Sequence, residues 1–282
     1  MTPRKPYLVD VDDDGLAALD VNVWAEDKYI RSTMYAELFA TGMKARWKRV
    51  YVGICTGPGH VRIRESNRRV LGASLLALQR LPDRFDRYIF CDLNEKYLDA
   101  LRQRVDRDYP GSDVKYVLGD VNLTIDQIVN EIPDHVLTFV FIDPFQLNIG
   151  FNVIRSLSRH GNVDILLTLM LYPDANRAWH NYIRDHNRKV DRFLEDPNWR
   201  GRWEEASLHN EHPVSFLAGE FGRKMEQEGY ISPGLEGMYQ VRAPVRNTPL
   251  YHMAFFSRDQ RGMDFWKKVL KYSSDQRELP LG

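Results

Sequence analysis

Cysteine is nearly absent: Cys55 and Cys91 are the only two in 282 residues. Two thiols cannot build a disulfide-stapled scaffold or a four-cysteine zinc site, so burial has to hold the chain together. An excess of either charge is missing as well, because 39 Lys and Arg face 39 Asp and Glu. A neutral chain does not grip polyanions by bulk charge, and any basic footprint has to be local. No apolar run approaches the ~20 residues that span a bilayer. The longest candidate, 163–171, is interrupted by Asp164 and Thr168, and residues 1–14 have a short basic start without an apolar stretch of signal-peptide length. A soluble, cytoplasmic protein is expected. Hydrophobic residues at 43% and aromatics at 12% are ordinary globular proportions and argue against disorder.

What is present is an alternation of short apolar runs with helical periodicities. Val50 to Cys55, Arg87 to Cys91, Val114 to Leu118, Val136 to Ile142 and Asp164 to Thr168 read as strands. Between them, Ser74–Leu81, Asn94–Asp108 and Ile125–Ile132 read as helices; Tyr97, Leu98, Leu101 and Val105 share one stripe. The run Val136–Ile142 has no polar alternation, the mark of a strand covered on both faces in a parallel sheet. Repeated strand–helix order predicts a doubly wound α/β fold. Gln240–Val245 and Leu250–Ser257 are spaced as an antiparallel pair, which narrows the class towards Rossmann-like methyltransferases. The expected division is a helical N-terminal segment (1–49), a core (50–172 and 237–282) and a helical insertion (173–236) rich in tryptophan.

In open α/β sheets ligands bind beyond the carboxyl ends of the strands. Those ends carry Thr56-Gly57-Pro58-Gly59, Asp92, Gly119-Asp120 and Asp143-Pro144-Phe145. Glycines let backbone approach a ligand, and a carboxylate just past the second strand suits a ribose diol. Asp120 could receive the exocyclic amine of an adenine. Taken singly, each has a plainer alternative: a turn for Gly-Pro-Gly, a helix cap for Asp92 or Asp120, a strand end for Asp143. Their order at consecutive strand ends favours a nucleoside pocket. A phosphate cradle does not fit, since no lysine lies between Lys48 and Lys96 and residues 60–71 intervene before the next helix. S-adenosylmethionine, which has no phosphate, fits better.

Asp143-Pro144-Phe145 is similar to the Asp-Pro-Pro-aromatic motif of methyltransferases acting on exocyclic amines, one proline short. There a carboxylate orients the amine and the ring stacks on a base. Between Lys44 and Arg69 lie eight basic residues against Glu65 alone. Arg62, Arg64, Arg68 and Arg69 fall in what reads as a loop, where they either meet phosphates or form a solvated or protein-docking surface. His209 and His212 have metal-like spacing without a supporting cysteine, and no metal is expected.

Several segments together resemble one family. They are Trp24-Ala-Glu-Asp-Lys28-Tyr29, Gly57-Pro58-Gly59, Gly72-Ala73-Ser74-Leu75, Asp143-Pro144, Pro249-Leu250-Tyr251-His252 and Phe265-Trp266-Lys267-Lys268. In order and spacing the chain resembles the three-Cys-motif partner proteins, which look like class I S-adenosylmethionine-dependent methyltransferases. The resemblance implies a cofactor site of Lys28, Cys55, Thr56, Gly57, Gly59, Asp92, Leu93, Asp120 and Val121. Lys28 would approach the cofactor carboxylate, Asp92 the ribose and Asp120 the adenine. It also implies a partner of the three-cysteine, radical-S-adenosylmethionine-like kind. The chain departs from the pattern at Gly53, where an acid is usual, and at Cys55, where an aromatic is common. The expected activity is methyl transfer to an exocyclic amine of a nucleobase in DNA or RNA. The alternative is a non-catalytic or differently catalytic partner subunit of a mobile-element or defence system.

Overall fold

A computed structural model describes residues 9–43, 47–81, 84–172, 177–244 and 247–275. The chain divides into two compact units, Met1–Leu137 and Thr138–Gly282. In the first, β1 (Val9–Val11) and β2 (Ala17–Val21) precede α1 (Trp24–Met43) and β3 (Arg49–Ile54). Next come β4 (His60–Ile63), β5 (Arg68–Leu71), α2 (Ala73–Arg80) and β6 (Arg87–Asp92). The unit continues with α3 (Glu95–Asp108), β7 (Val114–Leu118) and α4 (Val121–Glu131). β3, β6 and β7 are parallel neighbours in that order, with Gly53 beside Phe90 and Asp92 beside Leu118. Every residue of β3 is buried, as an unalternating run requires. α3 starts where the Asn94 side chain accepts from the Lys96 and Tyr97 amides, satisfying donors that the first turn leaves open.

Two corrections arise in this unit. Residues 60–71 are a β-hairpin rather than a loop: β4 pairs antiparallel with β5 and parallel with β2, forming the sheet β1-β2-β4-β5. Val61 and Ile63 point inward while Arg62 and Arg64 alternate outward, a period-two pattern that the arginines disguise. The N-terminal segment is also more than helical, because β1 and β2 form a hairpin ahead of α1. Its turn is closed by the Gly15 amide donating to the Asp12 carbonyl at 2.9 Å, with Gly15 at φ +76°. Of the basic cluster read from the sequence, Lys44 and Arg46 lie outside the described residues.

The aspartate-rich turn packs over Arg104, whose side chain has 0% exposure. Arg104 Nε and Nη2 donate to the two oxygens of Asp14 at 2.9 and 2.8 Å. Nη1 donates to the carbonyls of Ala17 at 2.8 Å and Pro58 at 2.7 Å. One guanidinium thus joins α3, the β1–β2 hairpin and the turn after β3. The fixed fork of donors makes this possible, and a lysine cannot reproduce it.

The second unit takes β8 (Leu137–Ile142) from Thr138 onward, then α5 (Phe151–Ser158) and β9 (Val163–Leu169). A helical stretch follows: α6 (Arg177–Tyr182), α7 (Lys189–Leu194), α8 (Trp199–Leu208), α9 (Pro213–Gln227) and the short α10 (Gly234–Gly237). β10 (Tyr239–Arg242), β11 (Pro249–Phe256) and α11 (Gln260–Asp275) close it. β8 and β9 are parallel, and β11 runs antiparallel to both β9 and β10. The helical stretch has its own aromatic core, in which Trp179 contacts Trp203 edge-on at 4.7 Å and Trp203 meets Phe216 at 5.2 Å. Among the described residues, no helix is long and apolar enough to cross a membrane.

Replacing Arg104 by Met would remove two donors from Asp14 and one from each of the Ala17 and Pro58 carbonyls. Denaturant unfolding is expected to show a loss of about 3–5 kcal/mol, the usual result of breaking a buried pair from one side. Arg104→Lys should recover less than half of it.

Candidate functional site

The backbone turns sharply after β3. Cys55, Gly57 and Gly59 have φ of +61°, +63° and +90°. The Cys55 and Thr56 amides donate to the Cys91 carbonyl at 2.9 and 3.2 Å, laying the turn against the end of β6. Gly59 has no alternative: a Cβ there would lie 2.7 Å from Leu75 Cδ1 and 2.9 Å from Leu101 Cδ1. Gly53 is also closely packed: a Cβ there would fall 2.8 Å from Thr56 Cγ2 and 3.2 Å from the Phe90 ring.

Asp92 is the hub of the strand ends. Its Oδ2 accepts the Gly57 amide at 2.8 Å and its Oδ1 accepts the Asn94 amide at 2.9 Å. Its carbonyl accepts the Gly119 amide at 3.0 Å. Gly57, Asp92 and the Gly119-Asp120 pair are therefore brought together, as expected. Burial pushes the Asp92 carboxyl above its ordinary value, partly offset by the backbone amides of Asn94, Gly57 and Leu93. A carboxylate has about four acceptor sites, so backbone donors leave room for hydroxyls.

Asp120 does what its plainer alternative stated, capping α4 by accepting the Asn122 amide at 3.0 Å and the Asn122 side-chain amide at 2.8 Å. Val121 is buried beside it. Leu93 is 71% exposed, Leu118 46% and Leu123 83%, an apolar set on the ends of β6 and β7 and the first turn of α4. Neither Leu118 nor Leu123 was anticipated; the signal available was a leucine at the strand end and another one turn into the next helix. Lys28 is buried in α1, its Nζ 5.2 Å from the Tyr29 ring centre.

The hairpin arginines are engaged by carboxylates of the N-terminal segment. Arg62 forks onto Asp20 at 2.9 and 3.1 Å, directly across from it in the β2–β4 register. Arg68 pairs with Glu26, and Arg69 with Asp12 at 3.0 Å and Asp13 at 3.2 Å. Arg64 is exposed. Asp12, Asp14 and His60 form a cluster that sequence reading did not find, with His60 Nδ1 2.6 Å from Asp12 Oδ2. Burial, reinforced by the Arg104 cation, lowers the His60 pKa against the pull of Asp12 and Asp14. Hydrogen bonds from Arg104 hold Asp14 well below the carboxylate range.

In the second unit, Asp143 and Pro144 are buried and Phe145 is 38% exposed just beyond β8. Asp143 follows Ile142, which is level with Leu167 of β9. One strand further along this edge is His252, level with Leu169. Cys91 is buried, and desolvation raises its thiol to about 12, so it is a packing residue rather than a nucleophile.

No family model matches the chain, and no curated protein does. Solved structures do. Protein LPL1258 from Legionella pneumophila aligns over 88% of this chain and 92% of its own, at 8% identity and a TM-score of 0.50. The likeness is one of fold. An O-methyltransferase from Bacillus cereus, solved with SAH, is 12% identical over 81% of this chain and 80% of its own, with a TM-score of 0.47. The O-methyltransferase TomG from Streptomyces achromogenes, solved with SAM, is 10% identical over 80% and 78%, with a TM-score of 0.45. The chain's own strand order and connections give the Rossmann-like α/β class, with the expected antiparallel pair at the C-terminal end.

The depressed His60 pKa has a testable sign. The folded state resists protonating His60, so its contribution is whole above the unfolded value near 6.5 and declines as pH falls below it. Thermal unfolding of wild type and His60→Asn should differ by a constant above pH 7. Between pH 6.5 and 5 the wild type should lose stability faster, while parallel curves would remove His60 from the acid response.

Proposed function

We propose that the first unit binds S-adenosylmethionine and that the protein is a methyltransferase. The observation that carries this is Asp92: a desolvated carboxylate at the end of the second parallel strand, tied to Gly57 and level with exposed Leu118, with exposed Leu93 next in sequence and exposed Leu123 in the first turn of α4. A ribose diol would take the unused lone pairs of Asp92, and the leucines would cover an adenine face at about 25 cal/mol per Å². Asp120, already capping α4 through Asn122, keeps acceptor capacity for an adenine amine. Lys28, Cys55, Thr56, Gly59 and Val121 complete the proposed site, with Lys28 toward the cofactor carboxylate. Bound cofactor supplies an electrophilic methyl group on a sulfonium.

The acceptor is proposed to be an exocyclic amine of a nucleobase. Asp143 would accept a hydrogen bond from that amine and so direct its lone pair, and the exposed Phe145 ring would stack on the base. Of the arginines proposed to meet phosphate, Arg62, Arg68 and Arg69 would have to exchange carboxylates for it, which favours their role in anchoring the hairpin. A three-cysteine-motif partner is proposed on the sequence resemblance alone.

Thermal shift with S-adenosylmethionine and S-adenosylhomocysteine tests the cofactor site. At 100 times the dissociation constant the ligand adds about 2.7 kcal/mol to stability. Asp92→Asn should weaken S-adenosylhomocysteine at least about tenfold by calorimetry, the worth of a charge-assisted hydrogen bond. No shift at millimolar ligand contradicts the proposal. Asp143→Ala should keep the shift and lose methyl transfer to mixed nucleic acid; undiminished transfer would remove Asp143 from the chemistry.

A further inference from the structure

The edge of the second unit where β9 ends holds a polar group that the preceding mechanism does not use. His252 of β11 is 2% exposed and level with Leu169, the last residue of β9. Its ring stacks on Tyr172 with centres 5.5 Å apart and planes 29° apart. Gln240 of β10, directly across from His252, places its side-chain amide against both, 2.9 Å from Tyr172 Oη and 3.3 Å from His252 Nε2.

The donors fix the protonation pattern. Arg242 Nη1 faces the other end of the Gln240 amide. A guanidinium only donates, so the atom facing it is the amide oxygen and the NH₂ faces Tyr172 and His252. An NH₂ likewise only donates, so His252 Nε2 accepts. The single proton of the neutral ring is then on Nδ1. Burial holds the His252 pKa down at about 4, so the ring is neutral at physiological pH. Nδ1 is buried, and among the described residues it has no hydrogen-bond partner. A buried donor left unmet is costly, a cost that proteins retain mainly where a ligand or bound water meets it. Tyr172, half-buried, accepts from Gln240 and keeps its own hydroxyl proton for donation. The site therefore offers two neutral donors and stacked rings, with no carboxylate among the three residues.

We infer that Tyr172, Gln240 and His252 recognise the ring of the methyl acceptor, an amine-bearing heteroaromatic base, with His252 Nδ1–H donating to a ring nitrogen or carbonyl oxygen. This rests on the reading of Asp143 as the group that orients the amine. Neighbouring strands lie about 4.8 Å apart, so two strand spacings separate the strand end bearing Asp143 from β11. Substrates with an amine but no neighbouring ring acceptor would be rejected, because they leave the donor unmet.

The test follows the His252 Nδ1–H resonance of ¹⁵N-labelled full-length protein as 2′-deoxycytidine is added to millimolar concentration, with aniline as the amine that lacks an acceptor. The inference expects deoxycytidine to move this signal downfield and aniline to leave it unmoved. His252→Phe should bind deoxycytidine at least about tenfold more weakly, the loss of one hydrogen bond. His252→Asn, which returns an N–H near the Nδ1 position, should bind within about threefold of wild type. Tyr172→Phe, which removes the second donor, should also weaken binding. A resonance that is already shifted downfield and unmoved by deoxycytidine would place a resident water on Nδ1 and overturn the inference. So would equal binding by His252→Phe. The S-adenosylhomocysteine thermal shift is read on the same samples. A shift with a silent His252 signal ends this inference and leaves the cofactor proposal standing, and a responsive signal without the shift does the reverse.

Discussion

A buried guanidinium and a half-buried carboxylate hold one five-residue turn. From one side the Asp92 carboxylate takes the Gly57 amide; from another, the Arg104 guanidinium takes the Pro58 carbonyl. Backbone groups at successive positions would otherwise need water or a ligand to satisfy them. Because their partners are side chains of β6 and α3, the turn is shaped before anything binds. The positive φ angles at Cys55, Gly57 and Gly59 are maintained by this clamp and by the packing of Leu75 and Leu101 against Gly59.

The two charges differ in kind. Arg104 is neutralised by Asp14 and spends its remaining donors on carbonyls, so it is structural. Among the described residues the Asp92 carboxylate is held only by backbone amides, and its raised pKa marks a carboxylate short of stabilisation. A group of that sort gains most from further donors, such as sugar hydroxyls. In the second unit His252 is likewise a buried donor short of an acceptor at a strand end.

Where the sequence pattern was a direct image of burial, it could be read. Val50–Ile54 and Leu137–Ile142 show no polar alternation because both faces of those strands are covered, and the Tyr97–Val105 stripe marks the inner face of α3. The meeting of Gly57, Asp92 and Asp120 followed from their places at strand ends. What escaped reading depended on partners remote in sequence. The β4–β5 hairpin hid behind arginines whose carboxylates lie 42 and 57 residues away, at Asp20, Glu26 and Asp12. Arg104 sits on the buried stripe of α3, and its need for Asp14, 90 residues earlier, leaves no local trace. His252 did leave one, a single polar residue in the otherwise apolar run Leu250–Phe256.

The account stands on Asp92 as the anchor for a nucleoside. Crystals grown with S-adenosylhomocysteine test it most directly. The account predicts both ribose hydroxyls within about 2.8 Å of the Asp92 carboxylate, with the adenine ring against Leu93, Leu118 or Leu123. Ligand bound elsewhere, or a ribose held by other residues while Asp92 keeps only its backbone partners, would contradict it.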